Sequence, residues 1–141
     1  MSLRRSLVLL AALTFLAAEA RAAGTVVAAE ETFGTVKKIT FAWTSTAGGA
    51  ADAPTVATFS GKIEALVTIP DAVDAPTTLY DVTVTDADGV DVLAGAGANR
   101  SATATELVLA SSLGIVANDL LTVNITNAGA AKKGRVVVYL R

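Results

Sequence analysis

The chain has 141 residues, a formal net charge of −2, and neither cysteine nor histidine. Without cysteine there are no disulfides, thiol nucleophiles or zinc–thiolate centres, and without histidine the most common general base at neutral pH is missing. The length suits one domain with a single core. Hydrophobic residues make up 52% of the chain and charged residues 17%, a composition that excludes a disordered protein.

The start of the chain has the pattern of a secretory signal peptide. Arginines at positions 4 and 5 precede an uncharged run over residues 6–18, which as a helix would extend about 20 Å against about 30 Å of bilayer hydrocarbon. Ala20 and Ala22 then form the A-x-A pattern of a cleavage site. The sequence predicts a leader helix over residues 1–22 that is removed by cleavage. An uncleaved anchor and a stretch translated ahead of the true start are the alternatives.

The charge of the remaining chain argues against two classes of partner. Residues 1–22 contain three arginines and one glutamate, so their removal leaves eight basic and twelve acidic side chains and a net charge of −4. Binding to nucleic acid or anionic lipid depends on clustered lysine and arginine. We therefore expect no nucleic-acid partner and no stable membrane insertion of the mature domain. Residues 23–34 are interpreted as an N-terminal arm, and residues 35–141 as the folded domain.

From residue 36 onward the hydrophobic pattern has a period of two, which is typical of half-buried β-strands. The first run, over residues 36–46, places its apolar side chains Ile39, Phe41 and Trp43 on one face. Further strands are predicted at residues 56–59 and 63–69, with a turn at Gly61 between them. In the second of these strands, four side chains share a face: Ile63, Ala65, Val67 and Ile69.

The second half of the chain continues the same pattern. A run with Tyr80, Val82 and Val84 on one face is followed by Asp88-Gly89 and an apolar segment at residues 90–93, which predicts a hairpin with its turn at Asp88 and Gly89. Strands are also predicted at residues 103–110, 120–126 and 135–140, the first with Leu107 and Leu109 on one face. A single helical turn is predicted within residues 111–119.

Seven or eight short strands separated by turn signals, with no amphipathic helix beyond the leader, predict an all-β fold. The architecture expected is an antiparallel β-sandwich or small barrel. The strand over residues 135–140 is β-branched and nearly uncharged, so an open edge there would promote aggregation. We therefore predict that this strand is paired within its own sheet.

Three aspartates near the hairpin are weak candidates for calcium binding. Asp86, Asp88 and Asp91 supply oxygen ligands of the kind calcium prefers, but the glycine and the final residue of an EF-hand loop are not at the required positions. The alternative is a hairpin tip that uses Asp and Gly for its backbone angles. No catalytic residue and no cofactor are expected, since an enzyme here would have to use carboxylates, lysine, tyrosine or hydroxyls alone, and a carboxylate hydrolase would depend on groups such as Glu64, Glu106 and several aspartates.

Four residues are expected at an interface with another subunit: Arg100, Arg135, Val137 and Tyr139. For Arg100, the favoured partner is an aspartate of the hairpin in its own chain, and a carboxylate of another subunit is the alternative. The other three lie in the C-terminal strand, which could add to a neighbouring sheet if its edge were open.

The stretch YDVTVTDADGVDVLAGAGANRSATATE, residues 80–106, resembles a small family of proteins encoded by tailed bacteriophages and prophages. VKKITFAWTSTAGG and LTVNITNAGAAKKGRVVVYLR are similar to the same family, and together the three stretches cover most of residues 35–141. Members are described as hypothetical or virion structural proteins without a known activity. The leader departs from this pattern, because phage structural proteins assemble in the cytoplasm.

The resemblance implies a non-enzymatic virion structural protein, such as a capsid decoration protein or a minor head or tail component. Its location would be the virion, and its partners would be other virion proteins or copies of itself in an oligomer. The alternative is a secreted or periplasmic β-sandwich that binds a ligand or surface, with or without calcium. The leader supports this alternative.

Overall fold

The computed structural model describes residues 24–109, 111 and 113–141, which form nine β-strands and no helix. The strands are β1 (Thr25–Phe33), β2 (Val36–Thr44), β3 (Ala51–Pro54), β4 (Phe59–Pro70), β5 (Asp81–Thr85), β6 (Glu106–Leu109), β7 (Ile115–Asp119), β8 (Thr122–Thr126) and β9 (Lys133–Leu140). The described part of the chain contains no helix of the length and apolarity needed to cross a membrane. The leader helix and the cleavage residues Ala20 and Ala22 lie outside the described residues.

The strands form two antiparallel sheets, which confirms the all-β prediction and its antiparallel sandwich. The large sheet has the order β1-β2-β9-β4-β6, and β7 continues beside the first residues of β4. The small sheet has the order β3-β8-β5. The C-terminal strand β9 lies in the middle of the large sheet, bonded to β2 on one side and to β4 on the other. The prediction that this strand is paired is confirmed, and it is not an edge strand.

The core lies between the inner faces of the two sheets, where the period-two pattern places the apolar side chains. The large sheet contributes Ile39, Phe41, Trp43, Ile63, Leu66, Val136, Val138 and Leu140, and the small sheet contributes Val82, Val84, Val123 and Ile125. Side chains from the connecting segments, including Val92, Leu93 and Leu121, complete it.

The only tryptophan packs in this core against a glycine of the neighbouring strand. Trp43 lies opposite Gly134 in the register of β2 and β9, and its ring is 5.7 Å from that of Tyr80. A Cβ atom at position 134 would lie 2.7 Å from the indole ring. A strand interior normally disfavours glycine, and here the indole occupies the volume of the missing side chain.

The shared face predicted for residues 63–69 is wrong beyond Ile63, because β4 contains a bulge. Its pairing with β9 shifts by one residue between Ile63 and Ala65, so that Glu64 is the extra residue. A shift of one residue moves all later side chains to the opposite face. Leu66 and Thr68 therefore enter the core, while Val67 lies on the other side of the sheet.

Other predicted elements are corrected in the N-terminal half of the chain. Residues 25–33, interpreted as part of an arm, form β1, which joins β2 through a two-residue turn in which Gly34 has the positive φ of 61° that such a hairpin requires. The strand predicted at residues 56–59 is replaced by β3 upstream and by β4 from Phe59 onward. Gly61 lies inside β4, not in a turn.

Two further predictions are wrong in the second half. Residues 90–93 form only a single bridge, between Thr85 and Asp91, because Val92 and Leu93 turn inward and are buried in the core. The helical turn predicted within residues 111–119 is replaced by β7, which pairs with the start of β4.

Candidate functional site

Asp88 and Gly89 lie in a tight turn that follows β5. The Gly89 amide donates to the Asp86 carbonyl at 3.1 Å, and the Val90 amide donates to the Asp86 carboxylate at 2.8 Å. Gly89 has a φ of 81°, a conformation that glycine adopts at no steric cost. Asp86 therefore closes this turn through both its backbone and its side chain.

Asp91 organises the segment after the turn in the same way. One carboxylate oxygen accepts from the amides of Val84 and Leu93, and the other accepts from Gly95 at 2.9 Å. Within the described ranges, no group of three or more acidic side chains lies close enough together to hold a metal ion. Two of the three calcium candidates thus hold the backbone of the hairpin and of the loop that follows.

Arg100 is paired within its own chain, but its partner is not an aspartate of the hairpin. Its guanidinium lies 3.8 Å from Glu106 at the start of β6 and donates to the Ala98 carbonyl at 2.7 Å. The Arg100 amide donates to the Tyr80 carbonyl at 2.7 Å, which ties this loop to the strand before it. Glu106 also accepts from the Ser101 amide at 2.6 Å. The predicted aspartate partner is therefore wrong, since the bend at residues 101–105 brings a glutamate to the arginine instead.

Three polar atoms near this pair are buried without a hydrogen-bond partner among the described residues. They are the indole nitrogen of Trp43 and the hydroxyl oxygens of Thr68 and Tyr80. Burial raises the pKa of the Tyr80 phenol. The cluster is closed to solvent, because all three side chains are almost completely buried. It offers a substrate no access.

Val137 and Tyr139 lie on the side of the large sheet that faces away from the core. The middle of this outer face consists of three rows of residues that run across the strands. The central row contains no charged side chain and consists of Ala29, Thr40, Val137, Val67 and Leu107. On one side lies the row Val27, Ala42, Arg135 and Ile69, and on the other lies the row Glu31, Lys38, Tyr139, Ala65 and Leu109.

The outer face exposes large apolar side chains at both of its lateral ends. Val27 in β1 is 68% exposed, and Leu107 and Leu109 in β6 are 61% and 74% exposed. Three of the four interface residues predicted from the sequence, Arg135, Val137 and Tyr139, are brought together here. Val137 is itself only 5% exposed. It therefore packs between its row neighbours Thr40 and Val67 and contributes little directly accessible surface.

A shallow pocket of about 580 Å³ opens at one end of this face. Its walls include Val27, Ile69 and Arg135, together with Asp71 after β4 and Lys133 at the start of β9. Backbone amides of Asp74 and Val73 lower the pKa of Asp71, and the pairing of Lys133 with Asp74 at 2.6 Å raises the pKa of the lysine. The pocket therefore combines an apolar floor with fixed charges of both signs.

The opposite surface of the sandwich has a different character. On the small sheet, the side chains that face solvent are polar apart from Pro54, and the row across its three strands is Asp52, Asn124 and Thr83. Sheets with one solvated face normally carry polar residues there. The small sheet follows this rule, whereas the large sheet exposes Val27, Leu107 and Leu109 beside its charged residues, which makes the outer face of the large sheet the candidate functional site.

The sequence identified part of this site and missed the rest. Alternation placed Leu107 and Leu109 on one face, but only the structure shows that this face is turned to solvent. Val27 and Ala29 were missed because β1 reads TVVAAEETF, with paired rather than alternating residue types. The Gly34-Thr35 dipeptide, a two-residue turn signal before β2, was the one feature that could have revealed β1.

Comparison of the chain with protein-family models, with curated proteins and with solved structures found no match.

Proposed function

We propose that this protein is a non-enzymatic structural component of a tailed-phage or prophage particle, either a capsid decoration protein or a minor head or tail component. The observation that carries the proposal is the apolar outer face of the large sheet. Large apolar side chains exposed on one sheet face, here Val27, Leu107 and Leu109, mark a surface that contacts another macromolecule. A structural role in an assembled particle requires such a surface and requires no reaction centre.

The composition of the outer face suits protein–protein contact. The core of an interface is depleted in charged residues and enriched in aromatic residues and arginine, and its rim is polar. The central row is uncharged, Tyr139 and Arg135 stand beside it, and the Glu31–Lys38 pair lies at its margin. The surface is also rigid, because it is formed by strands whose inner side chains belong to the core.

The resemblance of residues 80–106 to phage and prophage proteins supports the same proposal. In this chain those residues form β5, the tight turn and the loop that covers the edge of β5. Their polar side chains are used to hold backbone: Asp91 binds three amides, and Asp81 accepts from the Asn99 amide at 2.9 Å. These roles fit a segment that stabilises the domain while the outer face makes contacts.

Incorporation into particles tests the proposal. Leu107→Glu places a charge on the outer face, whereas Val90→Glu makes the same type of change at a residue of similar exposure, 59%, in the hairpin. We expect both variants to fold, as measured by circular dichroism. Mass spectrometry of purified particles is expected to show at least a tenfold loss of Leu107→Glu and normal amounts of Val90→Glu. Absence of the unaltered protein from particles, or equal incorporation of both variants, contradicts the proposal.

A second candidate is an exported β-sandwich that binds a ligand or surface, and the leader-like sequence of residues 1–22 favours it. The mature N-terminus distinguishes the two functions. A periplasmic or secreted protein that begins at Ala23 supports export. A protein recovered from particles supports the virion role.

A further inference from the structure

The edge of the large sheet formed by β1 is long, and no described strand pairs with its outer side. β1 pairs with β2 over all nine of its residues without a shift in register. It contains no proline, glycine or lysine, and Glu30 and Glu31 are its only charged residues, whereas proline, bulges and charged side chains protect the edge strands of natural sheets. No backbone hydrogen bond joins its other side to any described residue.

The hydrogen-bond pattern shows which residues of β1 face this open edge. The Ser45 amide donates to the Lys132 carbonyl at 2.8 Å, in register with β2 and β9, so the odd-numbered residues of β2 bond to β9. Because bonding direction alternates along a strand, the even-numbered residues of β2 bond to odd-numbered residues of β1. The amides and carbonyls of Val26, Ala28, Glu30 and Thr32 therefore point to the open edge.

The other sheet edges are short or covered. β5 is covered by the loop after the hairpin, since the Val92 amide donates to the Val84 carbonyl and the Val82 amide to the Gly97 carbonyl. β3 has four residues and ends at Pro54, and β6 has four residues. β1 is thus the one long regular edge in the described part of the molecule.

We propose that β1 pairs with β1 of a second copy of this chain, antiparallel and about a two-fold axis at Ala29. In this register all four edge-facing residues find partners: Val26 with Thr32, and Ala28 with Glu30, in both directions. The pairing supplies about eight hydrogen bonds between the chains and joins the two large sheets into one. The inference does not depend on the virion role.

Charge disfavours one alternative register of the same pairing. An axis at Glu30 would set Glu30 against itself, and like charges directly opposite each other are destabilising. With the axis at Ala29, Glu31 lies opposite Val27 of the second copy, and Glu30 lies opposite Ala28. Both acids are already engaged in their own chain, Glu31 with Lys38 at 3.1 Å and Glu30 with the Val56 amide at 2.8 Å. Glu31 is thus paired with a cation, and the Glu30 carboxylate is held by a backbone amide at a distance from its own copy.

The position of Val56 adds an apolar contact beside the edge. This residue is 90% exposed, and the bond from its amide to Glu30 fixes it next to β1. At the ends of the paired strands, Phe33, which is 61% exposed, lies opposite Thr25 of the second copy. Dimer formation would cover both side chains.

Single-cysteine variants test the register directly, since the chain has no cysteine of its own. At the proposed axis, Ala29 meets Ala29 in a non-hydrogen-bonded pair about 4.5 Å apart between Cα atoms, within the range of about 4.4–6.8 Å that a disulfide spans. Val27 would lie about 14 Å from its own copy. Under mild oxidation of the full chain, Ala29→Cys is expected to form covalent dimers at least tenfold faster than Val27→Cys or Glu31→Cys. A mixture of the latter two is expected to form the heterodimer.

Ala28→Pro provides the matched control. It removes an amide that faces the open edge and is unused within the chain, so the fold is expected to persist. In the Ala29→Cys background it should slow cross-linking at least tenfold. Equal cross-linking at positions 27, 29 and 31, or a rate unaffected by the proline, overturns the proposal. If the proline variant fails to fold, the comparison of the three cysteine positions decides alone.

Discussion

Tyr80 is the residue in which burial and polarity conflict most clearly. Its side chain has no exposed surface, and its hydroxyl has no hydrogen-bond partner among the described residues. A buried polar group without a partner loses its hydration and gains nothing in return. The ring nevertheless packs against Trp43 at 5.7 Å, and this contact accounts for an aromatic side chain at this position.

Tyr80→Phe is therefore expected to be nearly neutral or stabilising at pH 7, with a change in the free energy of unfolding below about 1 kcal/mol. The ring and its packing remain, and only the unpartnered hydroxyl is lost. Urea denaturation measures the change. A loss well above 1 kcal/mol would mean that the hydroxyl makes a strong hydrogen bond in the folded protein.

The same residue makes stability depend on pH in the alkaline range. Burial raises the pKa of the folded phenol above its ordinary value of 10.0, so the unfolded chain releases this proton first. The stability contributed by the neutral phenol is complete below pH 10 and falls as the pH rises above it. Tyr80→Phe is expected to lose less stability than the natural protein between pH 10 and 11. Parallel stability curves in this range would contradict the assignment.

At the scale of single elements, the bulge in β4 is the feature that sequence patterns did not reveal. Ile63 and Leu66 both face the core because Glu64 is an extra residue between them. Without Glu64, the series Ile63, Ala65, Leu66, Val67 and Thr68 would alternate regularly between the two faces. The bulge is thus an insertion in an otherwise standard strand.

Deletion of Glu64 is therefore expected to be tolerated, at a cost in the free energy of unfolding of less than about 2 kcal/mol. Deletion of Thr40 is the matched comparison, since it too removes one outward-facing residue. β2 has no bulge, so this deletion forces Ile39 or Phe41 out of the core, and cooperative unfolding is expected to be lost. If deletion of Glu64 and deletion of Thr40 destabilise the protein equally, the bulge at Glu64 does not explain why Ile63 and Leu66 both face the core.

At the scale of the whole molecule, β9 holds the large sheet together. It is the last strand in the chain but the middle strand of the sheet, and its partners β2 and β4 come from the first half of the sequence. Most of the stabilising contacts are therefore made only when the complete chain is present. Folds dominated by such distant pairings form slowly.

Hydrogen exchange is expected to reflect this central position. The even-numbered amides of β9 bond to β2 and the odd-numbered amides bond to β4, so Val136, Val137 and Val138 are all protected. These three consecutive amides should exchange only through global unfolding, at the slowest rates in the protein. Alternating fast and slow exchange along β9 would show that one of its neighbours is missing in solution.

The difference in polarity between the outer face of the large sheet and that of the small sheet is also a property of the whole molecule. No single strand reveals it, because Thr40, Val137 and Val67 become one surface only when β2, β9 and β4 lie side by side. The small sheet presents Asn124 and Thr83 in the same way. This difference between the two sheets is the reason for proposing that the large sheet, and not the small one, contacts other particle proteins.

The amino-acid sequence by itself determined the strand-forming segments with clear alternation and the turn at Asp88 and Gly89, because these depend on neighbours in the chain. It also determined that no thiol or imidazole chemistry is available. Only the tertiary structure decided that β1 exists as a strand, that Glu64 forms a bulge, and that Glu106 pairs with Arg100. It alone decided which apolar face is buried and which is open. Those features depend on residues far apart in sequence, whose pairing no local pattern encodes.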